Sequence, residues 1–314
     1  MRRILLGLAA LIPFGLALAQ DRYPSKPVQV ITVFAVGGGT DVIARAYAAE
    51  MSKLLGQPFV VTPRLGAAGS VGFGALAASA PDGYTISFAP NTPLVNSPHI
   101  IKGLPYTFDS IAPICGVFDN VFSLAVAPAS PYKTLKDLID DARSKPGTIA
   151  YGTSGLGSVP HLSMAALTRA AGVSMNAIAF KGDNDQLPQL LSGELPVATV
   201  AVSSIFGRDL RVLAVFGSKR QHAYPNTPVV TELGYPKIPQ GFNGVFAPKA
   251  ISKPVRDTLE RSCEQIVRMP SFVGVVEKLN QTIEYVPSAE FAKQLKEDYD
   301  FKGRLIQETK LQFN

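Results

Sequence analysis

The chain has 314 residues, a formal net charge of +6, 17% charged residues and no tryptophan. Its Lys and Arg are dispersed, which excludes the dense basic run of a nucleic-acid binder and leaves a mild positive excess that suits an acidic small molecule. The two cysteines, Cys115 and Cys263, form no CxxC or other metal or redox spacing.

Residues 1–19 read as a secretory signal peptide. Arg2 and Arg3 form a basic tip, Ile4 to Leu18 is almost wholly apolar, and Ala17-Leu18-Ala19 has the small-x-small form of a cleavage site. The apolar run is too short and wrongly flanked for a stable membrane span. No Cys follows the cut, which argues against a lipid anchor. The expected product begins at Gln20 and is periplasmic. Loss of two arginines and no acids lowers the charge to +4, and the 295 residues left suffice for two ordinary domains. An oxidising compartment permits a disulfide between the cysteines, but Cys115 lies in an apolar strand-like run where a buried thiol fits equally well.

Strand and helix patterns alternate from there. Val28 to Phe34 reads as a buried strand. Thr40 to Leu55 reads as a helix with Ile43, Tyr47, Met51 and Leu54 on one face. Pro58 to Thr62 is a strand, Gly69 to Ala80 a small-residue helix, and Tyr84 to Ala89 a strand introduced by the turn Pro81-Asp82-Gly83. This βαβαβ order predicts a parallel sheet covered by helices. The order then restarts, with strands at 123–127, 149–152, 177–181, 197–202 and 210–216 and helices at 134–143, 158–171 and 186–192. A third region follows Phe242, with a strand at 244–247, a Pro254-initiated helix and a final helix from Ser288. The fold class is α/β with two lobes: residues 20–122 and 241–314 in lobe one, 123–240 in lobe two.

Three small-residue loops join strands to helices: 33-VFAVGGGTDVIARAYA-48, 64-RLGAAGSVGFGA-75 and 152-GTSGLGSVPHLS-163. The first has neither the Lys of a Walker A loop nor the third glycine of a Rossmann turn. What it retains is a tight glycine turn, Thr40 as a helix cap, and free N–H donors at a helix N-terminus. Asp41 in that first turn repels a highly charged phosphate, so a small carboxylate or an amine-bearing ligand is easier to seat. Such loops lie at strand carboxyl ends, where open α/β sheets bind ligands, and Asn91 and Thr92 join them past the third strand. A ligand-free tight turn is the rival reading for any one loop alone.

The ordered set YPSKPVQVIT, GGGTDVIAR, LGQPFVV, RLGAAGSVG, APDGYT, PYKTLKDLI, GTSGLGSVPHL, FKG at 180–182 and LRVLAVFGSKR resembles the substrate-binding receptors of the tripartite tricarboxylate transporter family, of Bug or TctC type. The resemblance covers almost the whole chain after the signal. It implies two α/β lobes closing on a cleft like a Venus flytrap, and a monomer that delivers a small carboxylate to membrane permease subunits. It implies no cofactor, no metal and no nucleic-acid partner. It places the ligand on backbone N–H groups and bridging waters, at Val36, Gly37, Gly38, Thr40, Asp41, Ala68, Gly69 and Asn91 of lobe one. From lobe two it adds Thr153, Ser154, Ser158 and His161. Hydroxyls and amides of this kind hold a carboxylate without fixing a charge in the cleft.

Several positions depart from the family pattern. Ala35 and Val36 stand where two prolines usually precede the glycines, and 63-PRLGAAG-69 replaces Asn-Arg-Pro-Gly-Ala-Gly-Gly. Pro196 replaces an aspartate, the helix around 204–208 is trimmed, and Asp183, Asn184 and Asp185 replace small and apolar residues. Asp183 and Asp185 read as a solvated pair on a loop. An aromatic acid or an amide is therefore also a candidate ligand.

The rival reading is an enzyme, or an orphan sensor or signalling binding protein, on the same fold. His99, His161 and His222 have no metal-ligand spacing, and Gly152-Thr153-Ser154-Gly155-Leu156 breaks the G-x-S-x-G elbow at Leu156. No catalytic residue is assigned.

Overall fold

The structure is a computed structural model that describes residues 23–33, 36–37, 39–217, 219–238 and 241–309. The expected signal segment and Gly38 lie outside the described residues. In chain order the first elements are β1 (Val28–Thr32), α1 (Gly39–Leu55), β2 (Phe59–Pro63), α2 (Ser70–Ala77), β3 (Thr85–Pro90), α3 (Thr92–Val95), α4 (Ser97–Ile100) and β4 (Ile111–Asn120). Next come β5 (Phe122–Val126), α5 (Leu135–Ser144), β6 (Ala150–Thr153), α6 (Val159–Ala171), β7 (Asn176–Ala179), α7 (Asp183–Ser192), β8 (Val197–Ala201), α8 (Val202–Ile205) and β9 (Arg211–Val215). The last are β10 (Gly241–Pro248), α9 (Lys253–Ile266), α10 (Pro270–Lys278), β11 (Thr282–Pro287) and α11 (Ser288–Thr309).

Two sheets form, in the orders β11-β4-β10-β3-β1-β2 and β7-β6-β8-β5-β9. The inner strands β5 and β8 are buried at every residue, as expected of strands covered on both faces. The parallel sheet expected from the βαβ order is correct for β1, β2 and β3 and for β6, β7 and β8. It fails for β10 and β11, and for β5 against β8 and β9, which pair antiparallel. The chain crosses between lobes twice, and that explains most of the exception. β4 leaves the first sheet and, after Val121 alone, continues as β5 of the second. β10 brings the chain back, with Gly241 paired to Asn120. A strand that enters a lobe from the cleft must run against strands whose carboxyl ends face the cleft, so β5 and β10 are both reversed.

Lobe one packs Tyr47, Phe88, Phe118 and Phe272 into one core and Phe73, Phe246 and Phe291 into a second. A disulfide joins Cys115 of β4 to Cys263 of α9 within the first of these. Lobe two builds its core from Leu124, Tyr151, Leu162, Leu167 and Phe216. Helix α11 serves both lobes: Phe291 and Leu295 pack in lobe one, and Leu305 and Ile306 pack in lobe two. At 22 residues it is about 33 Å long, enough to span the junction.

Candidate functional site

The carboxyl ends of β1, β2 and β3 carry three loops that touch one another. Gly37 adopts φ 82°, and its N–H donates to Asp41 Oδ2 at 3.0 Å. Arg45 donates to both carboxylate oxygens of Asp41, from Nε at 2.8 Å and Nη2 at 3.2 Å. Burial alone would raise the Asp41 carboxyl. The Arg45 hydrogen bonds, the Gly37 N–H and the Arg45 charge outweigh it and hold the group below the ordinary carboxylate value. The first turn of α1 leaves backbone N–H groups without intrahelical acceptors. Around it Val36 and Gly37 are exposed and Thr40 is half-buried. Gly39, which the family pattern did not single out, is exposed with open space where a side chain would project.

The second loop is held in a costly conformation. Gly66, Ala67, Ala68 and Gly69 all have positive φ, at 124°, 45°, 51° and 91°. For the two alanines this is left-handed backbone that L-residues avoid, and such strain clusters at ligand clamps. Gly69 is wedged: a Cβ there would lie 2.7 Å from Pro93 Cγ and 3.0 Å from Val33 Cγ2. Ala68 beside it is exposed. Tyr106 Oη fastens the arrangement, bonding Pro93 O at 2.7 Å and Ser70 Oγ at 3.0 Å.

Asn91 stands apart from this surface. It is 2% exposed. Its Oδ1 accepts from the Phe242 N–H at 3.2 Å, and its Nδ2 donates to Asp298 Oδ2 at 3.0 Å. Lys302 completes that buried group by donating to Asp298 at 2.8 Å. Both ends of the Asn91 amide are thus engaged in a buried structural group, as an amide beside a carboxylate requires.

In lobe two the loop between β6 and α6 is organised by its own side chains. Ser158 caps α6, accepting from the His161 N–H at 3.4 Å and donating to Gly155 O at 2.7 Å. The buried Thr153 Oγ1 lies 3.3 Å from Ser158 Oγ. His161 is 3% exposed, and its Nδ1 accepts the Gly157 N–H at 2.9 Å. Burial pushes the His161 pKa down to about 4, so the ring is neutral at pH 7. The Ser158 and His161 side chains thus shape the loop.

Asp183 departs most from its sequence reading. It opens α7 rather than sitting on a solvated loop. Its Oδ1 accepts from Ser154 Oγ and from Gln186 Nε2 at 3.2 Å, and its Oδ2 accepts from the Ala201 N–H at 2.9 Å and Ser204 Oγ at 2.7 Å. Ser154 follows β6, Ala201 ends β8 and Ser204 follows it, and Gln186 shares with Asp183 the helix that follows β7, so the cluster lies at the carboxyl edge of the parallel strands. No spacing in the sequence announces it.

Two of the hydrogen bonds between the lobes lie close in sequence to this cluster. Asn96 Nδ2 donates to Gly157 O at 2.9 Å, and Gln281 Nε2 donates to Ser203 Oγ at 2.8 Å. Beside the second lies a cavity of about 660 Å3 lined by Val202 and Phe206 from lobe two and Val273, Gln281 and Ile283 from lobe one. Among the described residues no His, Cys, Asp and Glu converge as metal ligands, and no helix is long and apolar enough to cross a membrane.

Known proteins share this architecture. BugT of Bordetella pertussis is 32% identical over 263 residues, covering 82% of this chain and 81% of that protein. A TctC solute binding protein from Polaromonas superposes with a TM-score of 0.80 at 26% identity, over 91% of this chain and 99% of that one. An R. palustris protein solved with adipate gives a TM-score of 0.80 at 23% identity, over 92% and 98% of the two chains, a likeness of fold alone. The family described as tripartite tricarboxylate transporter family receptor matches residues 43–311. Its members are receptors rather than enzymes. With most of its length matched and both lobes shared, this chain belongs to the tripartite tricarboxylate transporter receptor family.

Proposed function

We propose that this chain is a periplasmic receptor that captures a small carboxylate between its lobes and delivers it to membrane permease subunits. Residues 1–19 act as its export signal, and the captured form is a monomer without cofactor or metal. The observation that carries the reading is the placement of the strand-to-helix loops. All lie at the carboxyl ends of parallel strands, and the chain just past β3 meets the loop after β6 where Asn96 donates to Gly157 O. This is where α/β sheets hold ligands.

The lobe-one half offers backbone donors. The first turn of α1, with Thr40, and the left-handed loop at Ala68 and Gly69 hold the ligand carboxylate, with Val36 beside them as an apolar wall. Asp41 and Arg45 set the turn and cancel each other in charge. Thr153, Ser154, Ser158 and His161 shape the opposing wall. Adipate in the R. palustris protein fits a carboxylate class for this fold.

A thermal-shift screen of carboxylates, aromatic acids and amides tests the reading. A receptor shows a saturable rise in melting temperature by mass action and leaves the compound unchanged. Steady consumption of the stabilising compound, followed by NMR, would sink it.

A further inference from the structure

We infer that Asp183 is a built-in carboxylate occupying the anion cradle of lobe two, so that the site admits a ligand with one carboxylate, seated on lobe one, and a far end bearing no negative charge. The inference rests on the receptor reading and names the substrate class of the same cleft.

An ionised carboxylate has about four lone-pair positions. Asp183 fills four, from Ser154 Oγ, Gln186 Nε2, the Ala201 N–H and Ser204 Oγ. All four donors are neutral, and among the described residues Asp183 joins no ion pair with a Lys, Arg or His. Its charge is therefore hydrogen-bonded but not cancelled, unlike that of Asp41, which pairs with Arg45.

The donors are also those a guest carboxylate would seek: two hydroxyls and a backbone N–H at the carboxyl ends of β6 and β8, and an amide from α7. Gln186 is fully buried and packs against Gly152, where an added Cβ would come within 2.5 Å of its Oε1. The cradle borders the lobe interface, because Gly157 and Ser203, each close in sequence to a cradle donor, accept hydrogen bonds from Asn96 and Gln281 of lobe one. A second carboxylate arriving there would find its donors taken and a like charge in their place, and like charges at hydrogen-bonding range repel.

The test empties the cradle. Asp183→Ala and Asp183→Ser are melted at pH 7 in sodium acetate and in sodium chloride of equal ionic strength. Both variants should melt below the native chain in chloride. Acetate should restore several degrees to the variants and shift the native chain by about one degree or less, because the lobe-one seat is common to all three chains and the vacated cradle is present in the variants alone. Adding Ser204→Ala to Asp183→Ala should reduce the rescue. If a variant does not fold in chloride, its recovery on refolding into acetate is the same readout. Equal behaviour in the two salts overturns the inference.

A second arm titrates adipate and 6-hydroxyhexanoate by calorimetry. The native chain should favour 6-hydroxyhexanoate by about tenfold or more, and Asp183→Ser should narrow or reverse that ratio. A native preference for adipate overturns the inference. Acetate rescue in a chain that binds none of the screened compounds leaves the cradle standing and removes the receptor reading. A bound carboxylate without acetate rescue does the opposite.

Discussion

Asp41 in lobe one and Asp183 in lobe two occupy matching places, each in the first turn of a helix that follows a parallel strand. Asp41 is almost fully buried, takes the Gly37 N–H and pairs with Arg45. Asp183 is partly exposed and is held by four neutral donors, Gln186 of its own helix and Ser154, Ala201 and Ser204 from elsewhere in lobe two. The first carboxylate shapes a turn and is electrically closed. The second binds a wall together and leaves its charge in the cleft. Two acids with the same local position can thus do different work, and the difference lies in what surrounds them.

The largest expected effect separates the two acids directly. Asp183→Ala strips an acceptor from four donors, and hydrogen bonds to a charged group predict a cost of about 4 kcal/mol, read by chemical denaturation. Asp41→Ala removes a helix-end acceptor and should cost only about 1 kcal/mol. Equal losses would break the contrast.

The lobe-two loop also carries a pH dependence. The folded His161 pKa of about 4 lies below the ordinary histidine value of 6.5. Its neutral ring therefore contributes stability that is fully present above pH 6.5 and is lost as pH falls toward 4. The amplitude is on the order of 3 kcal/mol at one pK unit per 1.36 kcal/mol. Asp119 acts oppositely in an overlapping window. Its burial, with Glu284 nearby, raises its carboxyl to about 7, so it withdraws stability as pH rises from 4 to 7. The clean readout is a difference: His161→Gln should flatten the acid loss relative to the native chain, and parallel curves would exclude His161 as its source.

The backbone offers a smaller contrast. Gly69 and Gly155 both have positive φ, but a Cβ on Gly69 collides with Pro93 and Val33, while the nearest atom to one on Gly155 is 3.9 Å away. Gly69→Ala should therefore cost about 2 kcal/mol from strain plus overpacking, and Gly155→Ala about 1 kcal/mol from strain alone. Thermal melts of the pair check this, and equal costs would mean that the lobe-one loop yields as easily as its partner.

Much of the scaffold was legible in the sequence because it rests on local signals. Apolar runs, glycine loops and the order of strands located the loops after β1, β2 and β6. The reversed strands were not legible, since the direction of β10 is set by its pairing with β4 more than a hundred residues earlier. β11 is half-buried along most of its length and carries only weak alternation. The buried role of the Asn91 side chain was not legible because its partner, Asp298, lies 207 residues away. The Asp183 cradle was hidden for the same reason: Ser154, Gln186, Ala201 and Ser204 follow no period and meet only in three dimensions. Gly39 was within view as part of the glycine run, but only its open surroundings mark it as a probe of the cleft.

That glycine provides the most direct measurement of the central claim. A tryptophan at Gly39 projects into open space at the start of α1, at a position without positive φ. Calorimetric titration with the best carboxylate from the thermal-shift screen is expected to show saturable binding to the native chain. Gly39→Trp should weaken it about hundredfold or more while leaving the melting temperature within about two degrees. Undiminished affinity in a well-folded Gly39→Trp chain would contradict a ligand clamped between the α1 turn and lobe two.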